Sequence, residues 1–273
     1  MKKKTSVVSG IYIALIFIFL YAPIAVMMLF SFNSTASTYT FSGLSLHWYR
    51  EMFSDAAAMN SLKNTVILAL ATAVAASVIG LLASIGLFNS KNRLYKRAMM
   101  TATNIPMMNP EIVTGIAMML LFVFAGTLVN KSDVLGFWTL LIAHVTFALP
   151  YVILNVMPKL KQFDMHVYEA ALDLGCKPAK AFFKVVMPEI VTGIITGFVM
   201  SFTLSLDDFI ISYFTNGPSF QTLPIYIFSM TKKRVKPDMF ALSTLMFVVI
   251  LVLLILMNIA QNKAARKGKR EAK

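Results

Sequence analysis

Six long apolar runs, separated by shorter polar stretches, dominate the pattern of this chain: residues 7–32, 65–88, 98–124, 136–157, 190–213 and 239–260. Each is long enough to cross a bilayer as a helix, which takes about 20 mostly apolar residues. The runs are continuous and lack the ten-residue alternation of barrel strands, so helices must satisfy their backbone groups in lipid. The pattern predicts an all-α integral membrane protein with six transmembrane helices. The first run is longer than the apolar core of a signal peptide, and Thr35-Ala36-Ser37 makes a weak cleavage site, so an uncleaved helix is expected. No long linker or low-complexity segment divides the chain. It reads as one domain over 1–273, with a polar loop at about 158–188 and a basic tail at about 261–273.

Composition supports this reading. Apolar residues make up 58% of the chain and charged residues 14%, with a mean hydropathy of +0.73. Soluble domains carry about a quarter charged residues. Basic residues precede the first run (Lys2, Lys3, Lys4), lie between the second and third (Lys91, Arg93, Lys96, Arg97), populate the 158–188 loop and follow the sixth run. With six spans these groups share one face. The positive-inside rule then places both termini and the loop in the cytoplasm; Lys232, Lys233 and Arg234 put a smaller basic group outside. The +13 net charge is therefore a topology signal, and no aromatic-basic motif points to nucleic acid.

Single residues narrow the chemistry. Cys176 is the only cysteine, so no internal disulfide can form. His144, in the fourth run, has no spaced cluster of metal-ligating residues and is expected to be a packed or hydrogen-bonded helix residue. The 19 methionines are scattered through apolar runs, as packing predicts. No Gly-x-x-x-x-Gly-Lys-Ser/Thr loop is present, so this chain is not expected to hydrolyse ATP. Neither a nucleophile–base pair nor a metal cluster supports an intramembrane enzyme.

Three acids fall within the apolar runs: Glu111, Asp207 and Asp208. Carboxylates are expensive in lipid and usually face a cavity or a partner. Glu111 follows Pro106 and Pro110, which must disturb the third helix; it can serve a cation pathway, cap a broken helix end, or both. Asp207 and Asp208 lie about 19–20 residues beyond Pro188, on the order of 28–30 Å along a helix, near the outer end of the fifth span. Gly193, Gly197, Ser201, Ser205, Asp208 and Ser212 share one small, polar helix face, fit either to pack on a neighbour or to line a passage. Spans carrying acids without balancing Lys or Arg favour cations, and Trp48, Tyr213 and Tyr21 could add cation–π attraction. In the outer segment 33–55, Trp48 and Tyr49 belong to a short amphipathic helix candidate suited to the membrane interface.

The 158–188 loop has its own logic. Glu169-Ala170-Ala171-Leu172-Asp173-Leu174 suits a short helix with Glu169 exposed, Gly175 a stop, and Pro178 the first position of a second helix. Glu169-Ala170-Ala171, Gly175 and the ending Val185-Val186-Met187-Pro188 resemble the EAA loop of ABC importer permeases, with Val and Met where Ile and Leu are commoner. Ser201-Phe202-Thr203-Leu204-Ser205-Leu206-Asp207-Asp208-Phe209, Asn216-Gly217-Pro218-Ser219 and Leu223-Pro224-Ile225-Tyr226 resemble the PotC-type permeases of spermidine/putrescine importers.

The resemblance implies the type I ABC importer permease architecture. It also implies a non-catalytic membrane subunit of a polyamine importer in a bacterial inner membrane. It assigns Glu169, Ala170, Ala171, Gly175 and Pro188 to coupling with a cytoplasmic ATPase dimer, and Trp48, Glu111, Ser205, Asp207 and Asp208 to the solute pathway. Further partners implied are a second permease and an extracytoplasmic polyamine-binding protein; ATP and Mg would belong to the ATPase. Two alternatives stay open: a same-fold permease for another solute such as ferric iron or an anion, the anion being disfavoured by the acids, and a self-contained secondary transporter, for which no internal repeat is evident.

Overall fold

The computed structural model describes residues 7–37, 39–130, 133–232 and 237–271; Lys2, Lys3, Lys4, Lys233, Arg234 and Lys273 lie outside them. The described helices are α1 (Val7–Ser31), α2 (His47–Ser54), α3 (Ala56–Asn89), α4 (Arg93–Met108), α5 (Glu111–Leu128), α6 (Phe137–Gln162), α7 (Met165–Asp173) and α8 (Pro178–Ala181). A π turn (Phe182–Val186) joins α8 to α9 (Met187–Asp207), and α10 (Ile210–Thr215), α11 (Leu223–Thr231) and α12 (Pro237–Glu271) follow. Among the described residues six helical segments are long and apolar enough to cross a membrane.

The second helix starts at Ala56, nine residues before the run read off the sequence, and two of the six are broken where that reading was continuous. The third does not continue over 98–124. α4 stops at Met108, Asn109 is extended (φ −77°, ψ 142°), and the apolar span is Glu111–Leu128. Pro110 explains this, since proline drives the preceding residue out of the helical region. The fifth does not run unbroken through 213. It ends at Asp207, and Asp208 is extended (φ −61°, ψ 124°) before α10 begins. No proline or glycine lies between Leu206 and Ile210; the Asp208 side chain makes the break by accepting N–H groups in the first turn of α10.

The described chain gathers into two compact bodies. One comprises residues 1–60 and 226–251. Within it α1 leaves its apolar window wholly exposed, so lipid or another subunit must cover it. After α1 the chain folds around Asn33, which is fully buried. Its side-chain amide donates to the Ser37 and Thr40 carbonyls (3.0 and 2.8 Å), and its Oδ1 accepts the Ser42 N–H (2.8 Å). Asp55 caps α3 by accepting the Ala57 and Ala58 N–H groups, and its other oxygen accepts the Tyr226 hydroxyl. Burial works to raise the Asp55 pKa, but these donated bonds outweigh it and hold the carboxyl below its ordinary value. Burial and the Asp55 charge push the Tyr226 phenol up.

The other body comprises residues 61–225 and 252–273. Its core forms where α3, α6 and α9 bring Ala76, Ala148, Val152, Val156 and Ile190 together. Glycine makes the approach possible. A Cβ on Gly193 would stand 2.6 Å from the Asn155 carbonyl oxygen, and one on Gly197 would stand 3.1 Å from the Val152 Cα. From the opposite side, a Cβ on Gly80 would stand 2.6 Å from the Val152 Cγ1, so Val152 occupies notches in two helices. The small face read in the fifth run is thus a packing face in this chain: Gly193, Gly197, Ser201, Ser205, Asp208 and Ser212 are all buried. Gly193→Leu is expected to lower stability by about 1–3 kcal/mol through overpacking. Gly86→Leu, where nothing lies within 4 Å of the added Cβ, should stay within about 0.5 kcal/mol. Thermal melting of the detergent-solubilised chain distinguishes them, and equal melting of both variants would refute this packing.

Candidate functional site

The α9–α10 break gathers polar groups from three helices. Asp208 is 9% exposed and its carboxylate faces inward. One of its oxygens accepts the Ile211 N–H (3.3 Å) and the other the Ser212 N–H (2.7 Å), satisfying donors that the first turn of α10 cannot satisfy itself. His144, midway along α6 and 2% exposed, completes the group. Its Nδ1 lies 2.7 Å from the Ser205 hydroxyl, and its Nε2 lies 3.0 Å from the Ser212 hydroxyl and 3.3 Å from the Asp208 Oδ2. A carboxylate can only accept, so Nε2 carries hydrogen; in the neutral ring Nδ1 then accepts from Ser205.

Asp207, the neighbouring acid, is placed differently. It ends α9 and its side chain is exposed. Glu111, also exposed, opens α5, where negative charge suits the helix start. One turn later Gly115 lets α10 pack onto α5: a Cβ there would stand 3.5 Å from the Ile210 carbonyl oxygen and 3.0 Å from the Phe214 ring. That packing brings the start of α5, which carries Glu111, to the start of α10, which follows Asp207 and Asp208. Two exposed carboxylates at adjoining helix ends can attract a cation, whereas the buried Asp208 is engaged within the protein. Tyr213 is exposed, in α10.

Trp48 belongs to the other compact body. It is half-buried on α2, and its indole N–H donates to the Asn33 carbonyl (2.7 Å). That bond fixes the ring against the fold around Asn33 and leaves the indole edge committed.

The 158–188 loop forms two short helices. Asp164 caps α7 by accepting the His166 N–H (3.0 Å), and Glu169 is exposed, 3.4 Å from the His166 ring. Ala170 is exposed and Ala171 half-buried. Gly175 turns the corner at φ +82°, with its N–H on the Leu172 carbonyl (2.8 Å) and the Cys176 N–H on the Ala171 carbonyl (3.1 Å). Pro178 opens α8, and Pro188 lies in the first turn of α9, directly after the π turn. Around this corner Val167, Leu174 and Phe183 leave apolar side chains exposed. With Glu169 they make a surface of mixed character suited to a protein partner.

Residues 76–268 match the family described as "Binding-protein-dependent transport system inner membrane component". The chain belongs to this family. It is an ABC transporter inner membrane permease, a multi-pass and non-catalytic component, and membership implies partnership with an ATPase and a binding protein. It is 34% identical to the spermidine/putrescine transport system permease protein PotC of Haemophilus influenzae, over 91% of this chain and 94% of that protein. It is 36% identical to the putrescine transport system permease protein PotI of Escherichia coli K12, over 84% of this chain and 82% of that protein. Among solved structures it superposes on a bacterial ABC transporter involved in alginate import with a TM-score of 0.72 at 13% identity, covering 97% of this chain and 96% of that one. Against the MetNI methionine ABC transporter the TM-score is 0.60 at 15% identity, with 76% and 95% covered. At such identities the structures establish the fold of the permease alone, and that fold is the importer-permease fold expected from the sequence.

The permease carries site residues that the sequence alone does not reveal. His144 lies 61 to 68 positions from its hydroxyl partners, and nothing local to it marks an acid nearby. Val167, Leu174 and Phe183 carry a weak signal, as apolar residues in a loop otherwise polar enough to stay in water.

Proposed function

We propose that this permease forms half of the translocation pathway of an ATP-driven polyamine importer and couples to its ATPase through the Glu169–Pro188 loop. The exposed pair Asp207 and Glu111, at adjoining helix ends, carries the reading. Polyamines are linear polycations, and carboxylates on the segments 98–130 and 185–231, which contain no Lys or Arg, suit ammonium groups while disfavouring an anion. Similarity at 34–36% identity to permeases of spermidine/putrescine and putrescine systems supports the same solute class. In this scheme Asp207 and Glu111 meet the solute, Trp48 is a separate contact carried by the other compact body, Ser205 and Asp208 shape the helix break behind Asp207, and the residues 1–273 act as one permease domain. Several weak contacts suit transport, because the solute must also leave.

The remaining parts follow from the same reading. A second permease supplies the other half of the passage, an ATPase dimer docks on Glu169, Ala170 and the exposed Val167, Leu174 and Phe183, and a polyamine-binding protein docks outside. Closure of the ATPases pulls on α7 and α8; the π turn passes that motion to α9, which carries Asp207 at its far end. Reconstituted into proteoliposomes with these three partners, the permease should import labelled putrescine or spermidine only when ATP is present. Transport of neither by a complete, ATP-hydrolysing assembly would refute the polyamine reading. For orientation, reporter fusions beside Arg97 and Lys177 should report cytoplasm, and one near Asp55 the outer side; a reversed signal at any of them would overturn this topology.

A further inference from the structure

We propose that His144 is a positioning residue for the solute pathway: through Asp208 and Ser212 it holds the α9–α10 break open and so keeps the end of α9 available to a cation. This rests on the reading of Asp207 as a pathway acid. The break is made by a capping acid, since Leu206-Asp207-Asp208-Phe209-Ile210 contains neither proline nor glycine and Asp208 accepts N–H groups three and four residues on. A continuous helix would satisfy its own N–H and C=O groups there. In its place the Asp208 carboxylate takes the N–H groups of Ile211 and Ser212, and it does so while buried. A buried carboxylate needs a donor or an opposite charge, or its desolvation goes uncompensated. His144 supplies that donor from α6, with its Nε2 3.3 Å from the Asp208 Oδ2 and 3.0 Å from the Ser212 hydroxyl. Ser205, on the last turns of α9, fixes the other face of the ring at 2.7 Å. One imidazole therefore ties α6, α9 and α10 together at the place where the backbone leaves the helix.

The consequence lies at Asp207. An α-helix has no partners of its own for its last four carbonyls, and its C-terminal end carries partial negative charge. Because α9 stops at Asp207, that end and the exposed Asp207 carboxylate coincide. Together they form a stronger cation acceptor than a carboxylate on the side of an unbroken helix. Without the Nε2 bond, Asp208 loses its buried partner and the segment can close into continuous helix.

The test compares His144→Gln, His144→Asn and His144→Leu in the reconstituted complex, with putrescine uptake measured per recovered complex. A Gln amide can reach the Nε2 position and donate to Asp208, whereas an Asn amide reaches only the Nδ1 side. Gln is expected to keep uptake within about twofold of the parent, and Asn and Leu to lose on the order of tenfold. His144→Leu combined with Asp208→Asn should lose no more than the worse single variant, since both act on one bond. Leu leaves a buried carboxylate unpaired and can impair assembly, so the contrast between Gln and Asn is the deciding one. Equal uptake by those two, or normal uptake by Asn, would overturn the proposal. Asp207→Asn run in parallel separates the two levels: if it transports like the parent, the pathway reading itself falls. If it fails while Asn at 144 does not, only the role of His144 falls.

Discussion

Asp207→Asn is expected to reduce polyamine uptake by ten- to a hundredfold while leaving assembly and melting temperature close to those of the parent. The side chain is exposed and ends α9, so it contributes little to folding within this chain. Asn nearly preserves its size and removes only the charge. A hydrogen bond to a charged group contributes about 1.5–3 kcal/mol, and each 1.4 kcal/mol is tenfold, which gives the range. Asp208→Asn is the contrasting case. That carboxylate is buried and bonded to two backbone N–H groups and near His144, so its loss should lower melting temperature and uptake together. Uptake and melting are to be measured on the same purified complexes. Parental uptake by Asp207→Asn, or a lowered melting temperature there equal to that of Asp208→Asn, would refute the division of roles between the two acids.

Glu169→Lys and Gly175→Val should each abolish most ATPase association and transport, although both variants insert. Glu169 is exposed and, among the described residues, its ion pair is with the exposed His166, so reversing its charge leaves the fold intact and alters the docking surface. Gly175 acts through the backbone. Nothing lies within 4 Å of a Cβ built there, so crowding is absent and the φ of +82° is the whole obstacle. A β-branched residue resists that conformation at a cost of at least about 1–2 kcal/mol, enough to swing α8 away from its angle to α7. Co-purification of the ATPase with tagged permease reads association directly. Full recovery of ATPase with both variants would show that the loop is not the coupling element.

These two regions were legible in the sequence to different degrees. The corner of the coupling loop was readable, because its geometry comes from local chemistry: Gly175 reversing the chain and Pro178 starting α8; the first helix was expected from Glu169 but starts at Met165, capped by Asp164. The break before Glu111 was readable for the same reason, since Pro110 dictates the conformation of Asn109. The exact span was not, because the apolar run continues across the break without a change in composition. At Asp207 and Asp208 the sequence showed two acids in an apolar run and a helix face of small residues. It predicted a continuous helix through both acids, with Asp208 on the small face. That geometry fails because the helix ends between them.

What the sequence determined by itself is therefore the set of membrane segments, the corner of the coupling loop and the presence of acids where lipid disfavours them. Each rests on transfer free energies or on φ restrictions that a residue carries with it wherever it stands. Only the tertiary structure decided which acid faces outward and which is buried, and that His144 stands behind the break. Those outcomes depend on contacts across 61 to 68 positions of chain and on the Val152 side chain fitting between Gly80 and Gly197. An interaction between distant residues exists only once helices pack, so no local property of Asp207, Asp208 or His144 could assign it.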